Sequence, residues 1–177
     1  MPRIPYKPED LREPAHLVDA IRARRGGKLY HLDRLLLYSP PLAAAWNGFM
    51  REVRGALTLS PKLRELAICA VAVVNRAEYE FHHHAPLLLA AGGTQAQVAA
   101  LRQLGQGGEN DPAFASAERA VIQLTVEMTR DVAVDDATFA AVRAALPDAQ
   151  QVVELVAVIA SYNMVSRFLV ALGVEAE

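Results

Sequence analysis

Residues 60–93, SPKLRELAICAVAVVNRAEYEFHHHAPLLLAAGG, decide the fold. The stretch begins with a helix start, because Ser60 can cap free backbone N–H groups and Pro61 suits the first helical turn. It ends with two glycines, which commonly follow the last turn of a helix. Asn75 and Arg76 interrupt the apolar residues in the middle. The stretch therefore predicts two consecutive helices joined by a short turn.

The remainder of the chain is also predicted to be helical. Alanine and leucine dominate, and apolar residues do not alternate with polar ones as they do in half-buried strands. Capping residues and glycine or proline breaks occur at helix-length intervals. We expect helices at about residues 14–26, 28–39, 42–54, 61–75, 77–91, 94–104, 116–130, 135–146 and 148–172, with a surface loop at residues 105–112.

This pattern predicts an all-α bundle of about eight helices. A length of 177 residues suits one compact domain, which we place at residues 14–177. Residues 1–13 are expected to form an extended arm, because prolines at positions 2, 5, 8 and 14 each lack a backbone donor. The most apolar stretch, residues 152–170, contains Glu154 and Arg167 and is therefore expected to be a buried helix rather than a membrane span.

Composition excludes several classes of protein. A net charge of −2, from 18 basic and 20 acidic residues spread along the chain, gives no basic face for nucleic acid. The single cysteine, Cys69, excludes an intramolecular disulfide and a cysteine-built metal site, and it suits a reducing compartment. The N-terminal residues lack the apolar core of a signal peptide. We therefore expect a cytoplasmic protein without nucleic-acid or membrane partners.

Two carboxylates and a histidine are predicted to meet in the helical hairpin. Counting outward from the joint at residues 75 and 76 places Glu65 level with the turn of chain that contains His84. Glu80 and His84 share one helix face because they are four residues apart. A histidine titrates near neutrality, and a neighbouring carboxylate fixes its tautomer. The sequence therefore predicts an acid–base site at Glu65, Glu80 and His84.

Two other interpretations of these residues remain open. Glu80 and His84 could form an ordinary exposed helix pair, which would contribute only about 0.3 kcal/mol. The spacing from Glu80 to His83 or His84 also occurs in helical carboxylate metal sites, but such a site needs a second pair of ligands. His16 and His31 are the only other histidines, and nothing marks them as ligands. We therefore expect no metal.

The segment RELAICAVAVVNRAEYEFHHHAPLLLAAG, residues 64–92, resembles the carboxymuconolactone decarboxylase superfamily, which includes the alkylhydroperoxidase D group. Peroxidases of that group have a Glu, a Cys-x-x-Cys beginning twelve residues later, and a His four residues after the second Cys. Glu65 and His84 occupy the outer places of this pattern, and Ala77 and Glu80 occupy the two cysteine places. The missing thiols argue against peroxidase chemistry, because that reaction passes through their disulfide.

The resemblance implies the alkylhydroperoxidase D-like fold, a homo-oligomer, and a lyase of the decarboxylase type that uses no cofactor. Decarboxylases of this superfamily carry a Glu and a His where this chain has Glu80 and His84. The expected substrate is a small carboxylate or lactone, with His84 as the proton donor. Glu80 would orient or tune His84, and Glu65 would support it from the adjacent helix.

A substrate carboxylate would need a cation, for which we consider Arg64, Arg76 and Arg167. The substrate-binding set is completed by aromatic and imidazole side chains at Tyr79, His83 and Tyr162. Tyr162, Asn163 and Arg167 lie in an apolar helix, where they would form either a pocket wall or an internal hydrogen-bond network. Two further functions remain open: an antioxidant protein without the usual cysteines, and a catalytically silent binding protein of the same fold.

Overall fold

The computed structural model describes residues 1–106 and 108–177, and within them it contains helices and no strand. The prediction of an all-α protein is therefore confirmed. The nine α-helices of the described residues are α1 (Ala15–Arg24), α2 (His31–Leu36), α3 (Pro40–Gly55), α4 (Pro61–Val74), α5 (Glu78–Ala90), α6 (Gln95–Leu101), α7 (Ser116–Arg130), α8 (Asp136–Ala145) and α9 (Ala149–Leu172). A short 3-10 turn, Gly108–Asn110, falls within the predicted surface loop, of which Gly107 lies outside the described residues.

Side-chain capping bonds mark the starts of α6 and α9. Thr94 begins α6 with a reciprocal pair of hydrogen bonds to Gln97, each 3.1 Å long. Asp148 accepts a hydrogen bond from the backbone N–H of Gln150 (2.8 Å) at the start of α9. Ser60 precedes Pro61 at the start of α4, but its side chain makes no capping bond. Ser60 is thus the N-cap residue, as predicted, but without a capping bond, and Pro61 at the first helical position marks this helix start.

Contacts divide the chain into two compact units, which are described separately. The first consists of residues 1–57 and 171–177, and the second of residues 58–170. In the first unit the N-terminal arm lies along the C-terminal residues of the same chain, with Arg3 N–H bonded to the carbonyl of Leu172 (2.9 Å). Tyr6 of this arm stacks on His31 with ring centroids 4.0 Å apart. The prediction of a single domain at residues 14–177 stays a prediction.

The second unit is built around α4. Eight consecutive residues of this helix, from Glu65 to Ala72, are buried, so every side of α4 faces protein. The α5 helix packs against it and contributes Phe81 and Leu88 to the same apolar core. Burial of such side chains contributes about 1.5–3 kcal/mol each to folding. Polar groups on α4 and α5 are therefore enclosed by a rigid apolar frame.

A tight turn joins α4 to α5, as the hairpin prediction requires. Asn75 caps α4, and Arg76 follows it in the left-handed conformation with φ of 57°. The N–H of Ala77 then bonds to the carbonyl of Ala72 (2.8 Å), and the N–H of Arg76 bonds to that of Val73 (3.1 Å). These two bonds form a Schellman motif, which normally uses glycine where this chain has arginine. The turn brings the two helices side by side.

The long helix α9 supplies a further wall of the second unit. By length and composition Ala149–Leu172 could cross a membrane, but half of its most apolar window is buried inside the protein. Tyr162, Ser166 and Leu169 are among the buried residues, whereas Glu154 and Arg167 carry charge on the same helix. The prediction that this stretch is a helix of the protein core fits this burial.

Candidate active site

His84 and Glu65 form a buried hydrogen bond between α5 and α4. The Nδ1 atom of His84 lies 2.7 Å from Oε2 of Glu65. The residues are only 5% and 3% exposed, so water screens their attraction weakly. The hairpin turn explains the contact, because it sets the two positions level on neighbouring helices. The predicted pairing of Glu65 with His84 is thus what the structure has.

Glu80 is placed differently from the expectation that one imidazole meets two carboxylates. Its Oε1 accepts a hydrogen bond from Ser166 Oγ of α9 (2.9 Å). None of the residues that the structure describes offers a hydrogen-bond partner to its Oε2. The carboxyl of Glu80 therefore bonds to α9 and not to His84, because four-residue spacing brings two side chains to one face without fixing which partner each selects.

Burial decides the protonation of Glu80. The residue is 2% exposed, and desolvation raises the pKa of its carboxyl well above the ordinary value, although the hydrogen bond from Ser166 acts to lower it. Burial therefore favours the neutral acid form of Glu80, one helical turn before His84. The interpretation of Glu80 and His84 as an exposed surface pair is wrong, since neither side chain is at the surface.

An arginine and a tyrosine adjoin the pair formed by His84 and Glu65. Arg64 approaches the other oxygen of Glu65, with Nε 3.2 Å from Oε1, and its side chain is 15% exposed. Tyr162 of α9, which is 2% exposed, presents its ring edge-on to His84 with centroids 5.0 Å apart. Arg64 and Tyr162 thus adjoin the pair formed by His84 and Glu65, and their predicted role in substrate binding stays a prediction.

The remaining candidates lie on α5 and in the turn before it. Tyr79 is buried on α5 and contacts the half-buried His83 at 4.4 Å between ring centroids. His82 is exposed, so the three adjacent histidines point into three different environments. Arg76 is exposed in the hairpin turn. The structure therefore does not join Arg76 to the pair formed by Glu65 and His84.

Arg167 takes part in an internal hydrogen-bond network. One of its guanidinium nitrogens donates to the backbone carbonyl of Asn163 (3.0 Å) and also to the side-chain oxygen of that residue. Asn163 donates to Thr129 of α7 (3.0 Å) and accepts from Asn75 of the hairpin turn (3.0 Å). Arg167 is itself exposed and joins this network through Asn163, and its role as a pocket wall stays a prediction. This network ties α7 and α9 to the end of α4.

Ser166 was not anticipated from sequence, although it holds Glu80. A lone serine in an alanine-rich helix is usually unremarkable, because its hydroxyl can bond to its own backbone. The available indication was its position four residues after Tyr162, which places both on one face of α9. Only the packing of α9 on α5 reveals the bond to Glu80.

Cys69 is buried in the apolar core one turn after Glu65. Burial raises the pKa of its thiol, and the nearby carboxyl groups of Glu65 and Glu80 raise it further. The thiolate, which is the reactive form, is therefore suppressed. Among residues 1–106 and 108–177, no group of three His, Cys, Asp or Glu side chains is placed to hold a metal ion.

A sequence family matches the segment that contains this site. Residues 40–123, which include α4 and α5 with Glu65, Glu80 and His84, match the carboxymuconolactone decarboxylase family. No curated protein sequence matches the chain.

Several solved structures share the fold of nearly the whole chain. A peroxidase-related protein from Ralstonia eutropha JMP134 with an alkylhydroperoxidase AhpD core has a TM-score of 0.81 at 16% identity, covering 99% of this chain and 92% of its own. The debrominase Bmp8, in a variant bound to 2,3,4-tribromopyrrole, has a TM-score of 0.81 at 16% identity, covering 98% and 92%. A peroxidase-related protein from Silicibacter sp. TM1040 has a TM-score of 0.70 at 17% identity, covering 99% and 92%.

At such identities these neighbours establish the fold alone. The family match adds the sequence pattern of the helices that carry the site, and the count of one cysteine shows that the dithiol is missing. Residues 40–123 are therefore similar to the carboxymuconolactone decarboxylase family, and nearly the whole chain has the alkylhydroperoxidase D-like fold, without a Cys-x-x-Cys pair.

Proposed function

We propose that the protein is a cofactor-free acid–base enzyme of the decarboxylase type that acts on a small carboxylate or lactone. The observation that carries this proposal is the buried hydrogen bond of 2.7 Å between His84 Nδ1 and Glu65 Oε2. A histidine oriented by a carboxylate in a dry environment is suited to proton transfer near neutral pH. The family match over the same helices supports the choice of reaction class.

His84 is the proton-transfer group in this proposal. Glu65 bonds to Nδ1, and in this proposal the other ring nitrogen, Nε2, exchanges the proton with the substrate. Glu65 holds the tautomer and stabilises the imidazolium form. Both residues are nearly fully buried, so the substrate must be small, or a local opening of the helices must admit it.

Arg64 is the proposed cation for a substrate carboxylate. It is the arginine that contacts Glu65, and it retains some exposure through which a ligand could approach. Arg167 is hydrogen-bonded to Asn163, and Arg76 lies in the exposed turn. Neither therefore has as much support as Arg64 for binding a substrate carboxylate. Tyr162 would form the aromatic wall beside the imidazole. Tyr79 and His83 remain proposed lining residues on α5.

An antioxidant function that depends on thiol chemistry has little support. The only thiol is buried, and its pKa is raised, so it would react slowly with a peroxide. Two structural neighbours have peroxidase-related names, but those names describe the neighbours and are not evidence for a reactive thiol in this chain. A silent binding protein of the same fold remains the outcome to expect if no acid–base activity is found.

The test of the proposal is release of CO2 from small lactone acids and β-keto acids, together with deuterium incorporation at carbon in D2O. His84→Asn removes the proton-transfer nitrogen and should lower turnover about 100-fold or more, in line with the size of general acid–base contributions. His82→Asn is the matched control, because that histidine is exposed on the same helix. Equal turnover of the two variants on an identified substrate would reject the assignment of His84.

We also propose that the protein self-associates and works in the cytoplasm. Exposed apolar residues on α9, including Val153 and Met164, support a contact with a further copy. A single buried cysteine is compatible with a reducing compartment.

A further inference from the structure

One oxygen of a buried carboxyl is unused by the protein. Oε1 of Glu80 accepts a hydrogen bond from Ser166 Oγ (2.9 Å), and Ser166 itself is completely buried. Oε2 is buried as well, and no residue among 1–106 and 108–177 gives it a hydrogen-bond partner. Native proteins contain few buried polar atoms of this kind, because each loses its hydration without compensation. A ligand that bonds to Oε2 would supply the missing hydrogen-bond partner.

The proton of the carboxyl makes this oxygen a donor. Burial raises the pKa of Glu80 well above its ordinary value, which favours the protonated form of the side chain. Oε1 is already the acceptor of the Ser166 hydroxyl, and this leaves Oε2 as the oxygen that carries the proton. The buried atom without a protein partner is therefore an O–H group, and a suitable ligand atom for it is an oxygen acceptor.

We propose that Oε2 of Glu80 donates a hydrogen bond to the substrate oxygen on which negative charge develops, and that Ser166 is the positioning residue that holds the carboxyl for this purpose. The inference rests on the proposed function, since it names the part of the acid–base reaction that Glu80 serves. Donors fixed in a dry site and aimed at a developing oxyanion contribute strongly to catalysis. Glu80 lies one helical turn before His84 on the same helix, and the proposal is that one small substrate contacts both groups.

This role identifies the substrate more closely. An O–H donor binds a carbonyl or enolate oxygen and disfavours an ammonium group. The substrate class is therefore a small acid in which the leaving carboxylate sits on a carbon conjugated to a carbonyl, as in a lactone acid or a β-keto acid. An acid without such a carbonyl gives no oxyanion for Glu80 to stabilise and should not react.

The electron pairs and protons balance in this reaction. The bond between the substrate carbon and its carboxylate breaks, CO2 leaves, and the electron pair moves through the conjugated system to the carbonyl oxygen. Oε2–H of Glu80 stabilises the resulting enolate and keeps its proton. The electron pair then returns from oxygen to carbon, which takes a proton from Nε2 of His84. Solvent reprotonates the imidazole, so no oxidant or metal takes part.

The first test is infrared spectroscopy of the carboxyl itself, which needs no substrate. The difference spectrum between wild type and Glu80→Gln at neutral pH should contain the C=O stretch of a protonated carboxylic acid. Ser166→Ala should shift that band upward, because Oε1 loses its hydrogen bond, whereas His82→Asn should leave it unchanged. If the difference spectrum shows a carboxylate pair and no acid band, the inference is overturned.

The second test is binding of para-nitrophenolate, a planar oxyanion whose absorbance reports the donors around it. We expect wild type to bind it with a spectral shift, and Glu80→Leu to bind it about 10- to 100-fold more weakly, as expected for loss of a hydrogen bond to a charged group. Glu80→Gln retains an N–H donor and should lie between the two. Thermal unfolding of each variant, followed by circular dichroism, identifies any that fail to fold.

These outcomes separate the inference from the function on which it rests. If Glu80→Leu, Glu80→Gln and wild type bind the probe equally, or if wild type does not bind it, Glu80 is not the oxyanion donor. That result leaves the turnover test of His84→Asn unaffected. Conversely, a normal turnover of His84→Asn would reject the acid–base function while the acid band and the probe affinity still reported on Glu80.

Discussion

The buried carboxyl of Glu80 has a raised pKa, and this makes the free energy of unfolding depend on pH. In the unfolded chain the carboxyl of Glu80 has the ordinary pKa of an exposed glutamate, about 4.3. In the folded protein burial raises its pKa, so between the two values unfolding releases one proton. The stability that this group contributes is therefore complete below the unfolded pKa and is lost as pH rises toward the folded pKa.

Glu80→Gln should remove this dependence. The amide can keep the hydrogen bond to Ser166, but it does not titrate. The free energy of unfolding of the variant, relative to wild type, should increase from pH 5 to pH 7 by up to about 1.4 kcal/mol per pH unit. Urea denaturation at a series of pH values measures this, and the other titrating groups cancel in the comparison. Parallel curves for the two proteins would mean that Glu80 is ionised when folded.

The pair formed by Glu65 and His84 makes a second prediction at the same scale. Both side chains are buried, so removing either one leaves the other without its partner, which costs about 3–5 kcal/mol for buried ion pairs. A double-mutant cycle of Glu65→Gln and His84→Asn isolates their interaction, for which we expect a coupling of about 1–3 kcal/mol.

The control cycle uses Glu78 and Arg102, a pair 3.3 Å apart whose side chains are 76% and 49% exposed. Exposed ion pairs contribute little, so the coupling there should stay below about 1 kcal/mol. Chemical denaturation of the wild type and the six variants at pH 7 gives both values. Equal couplings in the two cycles would show that burial does not strengthen the contact between Glu65 and His84.

At the level of the helices, two turns of one type flank α5, and they carry different residues at the position with positive φ. The α4 to α5 turn has Arg76 at a φ of 57°, whereas the turn after α5 has Gly92 at a φ of 93°. In the second turn the N–H of Gly93 bonds to the carbonyl of Leu88 (2.8 Å) and that of Gly92 to Leu89 (3.1 Å), so it is also a Schellman motif. A side chain is strained in this conformation and glycine is not.

Substitutions at these two turns should have opposite effects. Arg76→Gly relieves the strain of about 1–2 kcal/mol but gives the unfolded chain more freedom, so a net stabilisation of about 0.5–1 kcal/mol is expected. Gly92→Ala should destabilise by about 1 kcal/mol through strain alone, because an added Cβ meets no atom within 4 Å. Thermal unfolding measures both. A loss of stability in Arg76→Gly would indicate that the arginine side chain contributes more than its backbone costs.

The positions of the helices could be predicted from the sequence more fully than the side-chain contacts between them. Residues 116–130 were predicted as a helix and form α7 with the same ends, since capping and apolar spacing are local properties. The predicted helix at residues 28–39 shrinks to His31–Leu36, because its first residues are extended before Tyr30. The pairing of Glu65 with His84 followed from counting along a hairpin. Ser166 lies 86 residues from Glu80, and no local pattern connects them.

For the whole molecule, the spacing of Glu65, Glu80 and His84 indicated a resemblance to a family that the match over residues 40–123 supports. Protonation was harder to foresee. Whether Glu80 is charged depends on how completely α4, α5 and α9 exclude water, which is a property of the assembled core. The network that engages Arg167 likewise requires Asn75 and Asn163, brought together from distant parts of the chain.

The exposed apolar residues of α9 bear on the state of the whole molecule in solution. Val153 and Met164 are 68% and 42% exposed, and with the exposed Ala157 and Ala160 they follow one face of the helix at intervals of four, three and four residues. A continuous apolar stripe on a folded protein usually marks a contact surface. Arg167 at the end of this stretch makes burial in lipid costly, so a second copy of the chain is the expected partner.

We therefore expect light scattering after size exclusion to give a mass that is a multiple of 19.2 kDa. Val153→Glu combined with Met164→Glu places like charges in the stripe and should lower the mass to that of one chain, with little change in the thermal midpoint. Phe139→Glu is the control, because that residue is 42% exposed on α8 and lies outside the stripe. A monomeric wild type, or an oligomer that survives the double substitution, would mean that α9 is not the contact surface. Sedimentation of the wild type with anionic vesicles would point instead to a membrane partner.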